Sequence, residues 1–150
     1  MRDLIVYGLE TTFTRAKRCV DDFTDDEARV RPHGLTPIIW QFGHIVSADA
    51  GYLYRAGGVI EVPSTYRTLF GTGTGGDAAY PPLTDLRELF EDVQRELVRA
   101  AQTADLSLPV ESQSYHTVGE VLLFPMYHRG YHIGKMTTLR ALSGKRRLFG

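Results

Sequence analysis

The chain has 150 residues, of which 43% are hydrophobic and 23% charged, with a formal net charge of −1 at pH 7. These values are typical of one globular domain, which we place over residues 1–150, and they offer no electrostatic basis for nucleic-acid binding. Cys19 is the only cysteine, which excludes an intramolecular disulfide. No stretch approaches the roughly 18 to 20 apolar residues of a membrane span. We therefore predict a cytoplasmic protein without nucleic-acid or membrane partners.

Apolar residues at helical spacing predict two amphipathic helices in the first third of the chain. The first covers residues 5–20, and Cys19 falls on its apparent polar side. The second runs from Pro37 to about Arg55, with Thr36 as the N-cap and proline at the first helical position.

Two further helices follow a long irregular connection over residues 57–82. Its run GTGTGGD could cradle a phosphate, but it lacks the Gly-Lys-Ser/Thr ending of a phosphate-binding loop. We interpret it as a flexible connection, long enough to cross the end of a helical bundle. The third helix is capped by Thr84 or Asp85, and the last runs from Thr117 to Leu142. The pattern predicts an all-α chain with four long helices.

Three histidines on two of these helices are candidate metal ligands. His128 and His132 are four residues apart and project from an apolar face of the last helix, and His44 lies beside small residues on the second. Neutral imidazole binds zinc, nickel and iron(II), and two ligands one turn apart can chelate an ion. Three histidines leave a position open for water or a substrate thiol. Cys19, on the polar side of its helix, is not expected to join them.

The same residues also have structural interpretations. A histidine such as His44 on an apolar helix face is, taken alone, more often a hydrogen-bonded core residue than a ligand. Tyr127 and Tyr131 are predicted to be core or boundary aromatics, with substrate contact as the alternative. His33 and His116 are predicted to lie in surface loops, with His116 the better candidate for an accessory group since it directly precedes the last helix.

The chain resembles the DinB/YfiT-like family of proposed metalloenzymes, the DinB superfamily. The family segment W-x-x-G-H is matched by Trp40, Gly43 and His44, and its HxxxH motif by His128 and His132. The stretch HIGKMTTLRALSG is similar to the family ending H-x-G-Q-I-x-x-L-R-x-x-x-G. The resemblance spans nearly the whole chain, and its three histidines are the specific part.

The resemblance implies a four-helix bundle with an up-down-down-up course, in which residues 57–82 form the long crossover between helices two and three. It implies a divalent metal ion, zinc or nickel with iron or manganese as alternatives, held by His44, His128 and His132, and a homodimer. Similar proteins include thiol-dependent S-transferases, which implies S-transfer to a small electrophile with a low-molecular-weight thiol as cofactor. Lys135 stands where the family often has glutamine.

Two other functions suit the same ligands. One is hydrolysis of a small ester or amide by metal-bound hydroxide, which needs a general base that the sequence does not identify. The other is a non-catalytic, dimeric, stress-associated bundle in which the metal is fully coordinated. The fourth ligand separates these functions, because an Asp or Glu ligand favours a structural site and an open position favours catalysis.

Overall fold

Helices dominate the computed structural model, which describes residues 1–149. In chain order they are α1 (Arg2–Arg18), α2 (Asp25–Arg29), α3 (Ile38–Arg55), α4 (Tyr66–Leu69), α5 (Leu83–Thr103) and α6 (Val118–Leu142). Over the described residues the only β-type pairing is an isolated bridge between Pro109 and Thr117. The predicted all-α class is therefore confirmed, with α1, α3, α5 and α6 as the long helices. None of the described helices is long and apolar enough to cross a membrane.

The start of α3 differs by one residue from the prediction, whereas its end agrees. Pro37 is the N-cap in an extended conformation, and no side chain caps the helix, so Thr36 does not have the predicted role. At the other end, Gly57 adopts a φ of 83° and the Gly58 amide donates to the Leu53 carbonyl at 2.9 Å. A left-handed glycine of this kind satisfies the last carbonyls of a helix.

The cap of α5 comes from a distant part of the chain. The helix begins at Leu83, before both Thr84 and Asp85, so neither residue is its N-cap. Instead, the Leu83 amide donates to a carboxylate oxygen of Asp25 in α2 at 2.7 Å, and this bond lowers the pKa of Asp25. The cap is a tertiary contact between residues 58 apart. Local spacing alone could not have predicted it.

Two clusters of buried apolar side chains hold the long helices together. In the first, Phe42 of α3 meets Phe90 of α5 edge to face with ring centroids 5.1 Å apart, and Met136 of α6 joins them. In the second, Leu9 of α1 and Leu53 of α3 pack with residues of α5 and α6. Each such side chain contributes about 1.5–3 kcal/mol when fully buried. The clusters fix α3 against α6, the two helices that carry the histidines.

Part of the connection over residues 57–82 packs against the start of α3. Trp40 Nε1 donates to Thr74 Oγ1 at 2.8 Å. Gly75 adopts a φ of 108°, and a Cβ atom there would lie 2.8 Å from the Thr36 side chain and 3.3 Å from the Trp40 ring. The glycine run therefore permits close approach to Trp40 and is packed against α3, whereas a flexible connection was predicted.

Candidate metal centre

The three predicted histidines meet between α3 and α6. Their potential ligand nitrogens all lie within 4.8 Å of one another, and His44 Nε2 is 3.1 Å from His128 Nε2. His132 is buried, whereas His44 and His128 are half-buried. Residues more than 80 positions apart thus form one cluster that is partly open to solvent.

Two of the imidazoles are oriented by hydrogen bonds from their outer nitrogens. His44 Nδ1 lies 2.6 Å from the Phe70 carbonyl oxygen, and His132 Nδ1 lies 2.7 Å from Gln41 Oε1. Because both oxygens only accept, each Nδ1 carries a hydrogen and donates it. In the neutral rings, the lone pair is then on Nε2, on the inner side of the cluster, where His44 Nε2 lies within hydrogen-bond distance of His128 Nε2. Metal-binding histidines are commonly oriented in this way.

The segment from Trp40 to His44 forms one wall of the centre. The Trp40 ring stacks on His44 with centroids 4.9 Å apart and an interplanar angle of 15°. A Cβ atom at Gly43 would overlap the Phe70 ring, so glycine lets Phe70 approach α3 and present its carbonyl to His44. Gln41 reaches across to α6 and holds His132. The tryptophan and glycine of the W-x-x-G-H motif therefore both position the histidine.

Burial keeps the two histidines of α6 in the neutral form that binds metal. Desolvation, followed by the neighbouring imidazoles, lowers the pKa of His132 to about 3. Desolvation also lowers the pKa of His128 to about 4, with smaller contributions from His44 and Arg129. At neutral pH protons therefore do not compete for these ligand atoms.

The metal-free protein is expected to lose stability on acidification through these two histidines. An unfolded histidine titrates near pH 6.5, above the pKa of the folded groups, so the unfolded chain binds more protons as the pH falls. This part of the stability is fully present above about pH 6.5 and is lost as the pH approaches about 3. Urea denaturation in the presence of a chelator, at pH values from 7.5 to 4.5, measures the effect.

Matched variants separate this effect from general acid denaturation. His128→Asn should reduce the pH dependence of the urea midpoint. His33→Asn should not, since His33 is exposed and its φ of 51° is one that asparagine tolerates. Identical pH dependence in wild type and His128→Asn would contradict the explanation.

Several residues lie elsewhere than their spacing suggested. Cys19 is fully buried after the end of α1, so its assignment to a polar face was wrong, and burial raises the pKa of its thiol to about 11. It is a protonated core residue that does not belong to the histidine cluster. Tyr127 is 73% exposed and Tyr131 57% exposed, so neither is a core aromatic. His33 and His116 are exposed, as predicted.

An aromatic group beside His128 was missed by the sequence interpretation. Tyr52 packs edge-on to His128 with centroids 5.9 Å apart, and it contacts Phe124 at 5.4 Å and Tyr115 at 6.2 Å. Burial and Tyr115 together raise the pKa of Tyr52, which therefore stays protonated. Phe124 lies one turn before His128, and Tyr52 about two turns after His44. That helical spacing is the signal that could have placed them next to the cluster.

Comparison with known families agrees with the motif resemblance. The model of the DinB superfamily matches residues 9–136, a segment that includes all three histidines. No curated protein matches the chain.

Proposed function

The chain belongs to the DinB superfamily, and from this premise we propose that His44, His128 and His132 bind one divalent metal ion, zinc or nickel with iron or manganese as alternatives. The observation that carries this proposal is the convergence of the three imidazoles with two outer nitrogens already occupied. The 3.1 Å between His44 Nε2 and His128 Nε2 suits two ligands of one ion. Zinc–nitrogen bonds of about 2.0–2.1 Å at tetrahedral angles separate the nitrogens by about 3.3 Å.

The reaction we propose is thiol-dependent S-transfer to a small electrophile, with a low-molecular-weight thiol as cofactor. When bound, a divalent ion supplies Lewis acidity that stabilises a thiolate or acidifies water. The protein contributes a set of three imidazoles flanked by Trp40, which stacks on His44, and by Tyr52, which lies edge-on to His128. A thiol held at the open position would release its proton to solvent water, so its activation would not require a side chain as general base.

The residue types in the cluster are evidence on the two alternative functions, hydrolysis and a non-catalytic bundle. Within residues 1–149, the cluster consists of imidazoles alone, and no Asp or Glu joins it. A carboxylate would be the natural fourth ligand of a closed structural site and the natural general base of a hydrolase. Its absence from the described cluster supports an open position, which favours catalysis over a non-catalytic bundle.

We also propose the up-down-down-up course for the long helices. The Arg129 and Arg140 side chains of α6 donate to the carbonyls of Leu9 and Cys19 respectively, which supports parallel α1 and α6. The pair of Lys17 with Glu91 at 2.5 Å and the bond from Arg2 to Ala104 support antiparallel α1 and α5. For α3 and α6, the corresponding contacts are Gln41 with His132 and Asp49 with Arg129, which support an antiparallel pair.

The remaining features of the proposal concern the substrate, the oligomeric state, the location and the partners of the protein. A small-molecule substrate, a homodimer, a cytoplasmic location and the lack of nucleic-acid and membrane partners stay predictions. Sedimentation of the purified protein would test the dimer.

An activity screen tests the proposed reaction. We expect metal-loaded protein to accelerate the substitution of chloride in 1-chloro-2,4-dinitrobenzene by a small thiol, with release of chloride and a proton, and metal-stripped protein and His128→Ala to fall to the uncatalysed rate. Hydrolysis of 4-nitrophenyl acetate is measured in parallel on the same preparations. Metal-dependent hydrolysis without thiol transfer would replace the proposed reaction by the hydrolase alternative, and inactivity in both assays with a full metal site would support the non-catalytic one.

A further inference from the structure

Lys135 places a positive charge at the rim of the histidine cluster. Its side chain is exposed, with Nζ 4.5 Å from the centroid of the Tyr131 ring. That ring lies edge-on to His132, with centroids 5.0 Å apart and an interplanar angle of 86°. The sum of these two distances is an upper limit for the separation of Nζ from the centroid of the His132 ring. This sum is shorter than the roughly 10 Å over which 0.1 M salt screens a charge. A cation–π contact therefore holds the ammonium group where it acts on the centre.

The charges around the cluster are otherwise balanced or neutral. Arg129, the other cation near the imidazoles, is fully buried and paired with the Asp49 carboxylate at 2.7 Å. Lys135 forms no ion pair with a carboxylate of residues 1–149. The rim of the centre thus has an uncompensated positive charge.

We propose that Lys135 recognises a carboxylate on the small molecule that occupies the open position of the metal centre. This inference rests on the proposed function and narrows its thiol cofactor to an anionic class, the carboxylate-bearing thiols. A lysine ammonium binds a carboxylate as a flexible point charge. In this role Lys135 is a specificity-determining residue of this chain.

Two thiols of similar length test the proposal on cobalt(II)-loaded protein. 3-Mercaptopropionate carries a carboxylate and 2-mercaptoethanol does not, and the thiolate–cobalt absorption band reports the binding of each. We expect Lys135→Gln to raise the Kd of 3-mercaptopropionate about two- to fivefold, a typical effect for an exposed charge pair, and to leave that of 2-mercaptoethanol unchanged. Lys135→Glu should raise the first Kd about tenfold, and both effects should shrink in 0.5 M salt.

Arg147→Gln is the matched control, since it removes one positive charge from an exposed position in the C-terminal tail. It should change neither Kd. Lys135→Gln values equal to wild type for both thiols, equal losses for both thiols, or loss of cobalt binding in that variant would each overturn the role of Lys135. Failure of the wild-type protein to bind cobalt would instead overturn the metal centre itself, so the two failures are distinguishable.

Discussion

Replacing His128 with alanine is expected to reduce the bound metal from about one equivalent to almost none after dialysis. The change leaves His44 and His132 as the only imidazoles of the cluster, and two ligands on different helices hold an ion far more weakly than three. His44→Ala and His132→Ala should have the same effect. Elemental analysis of dialysed protein gives the stoichiometry, and competition with a chromogenic chelator gives the affinity. We expect a loss of more than about 100-fold.

Substitution of an orienting residue should give a smaller, graded loss. Gln41→Leu removes the acceptor that fixes the His132 ring, so affinity should fall about 10- to 100-fold while the stoichiometry at saturating metal stays at one. His33→Ala and His116→Ala change exposed histidines outside the cluster and should bind metal as wild type does. Undiminished metal in His128→Ala would reject the three-histidine centre.

The sequence predicted the histidine cluster because helical periodicity is a local property. His128 and His132 had to share a face once α6 was identified, and the apolar character of that face placed them inside. His44 was included because it lies beside small residues on the second helix, and the family motif then supported the choice. In the structure, the lack of a side chain at Gly43 leaves room for Phe70, and the Phe70 carbonyl orients the His44 ring. No pattern of spacing shows that a carbonyl 26 residues away will be the acceptor.

The predictions that failed depended on tertiary contacts or on the exact end of a helix. Cys19, the C-cap of α1, keeps helical backbone angles (φ −66°, ψ −22°) and follows the buried Ala16 by three residues, so its side chain extends the buried face into the core. The cap of α5 is provided by Asp25, although nearer capping residues are available. Tyr131 lies next to the cluster but points outward, where it supports Lys135. Each outcome depends on how neighbouring elements pack.

The buried ion pair below the metal centre should have the largest effect on stability. Arg129 and Asp49 are both fully buried, with Arg129 Nε 2.7 Å from a carboxylate oxygen, and the guanidinium also donates to the Leu9 carbonyl and to Gln94 Oε1. Arg129→Met leaves a buried carboxylate and two acceptors without their donor. We expect a loss of about 3–5 kcal/mol in the free energy of unfolding, measured by guanidinium denaturation. Burial raises the pKa of Asp49 to about 6 although Arg129 lowers it, so at pH 7.5 the wild-type pair is ionised, and Arg129→Met removes the interaction that lowers this pKa.

A second variant separates the cost of the unpaired charge from that of lost packing. The double substitution Asp49→Leu with Arg129→Met removes both charges of this buried pair and should recover most of the stability. Arg99→Met breaks an exposed pair with Glu96 and should cost less than about 1 kcal/mol. A double variant as unstable as Arg129→Met would contradict this account. The double variant should still bind one metal ion, because Phe70 and Gln41, rather than the ion pair, orient the flanking imidazoles.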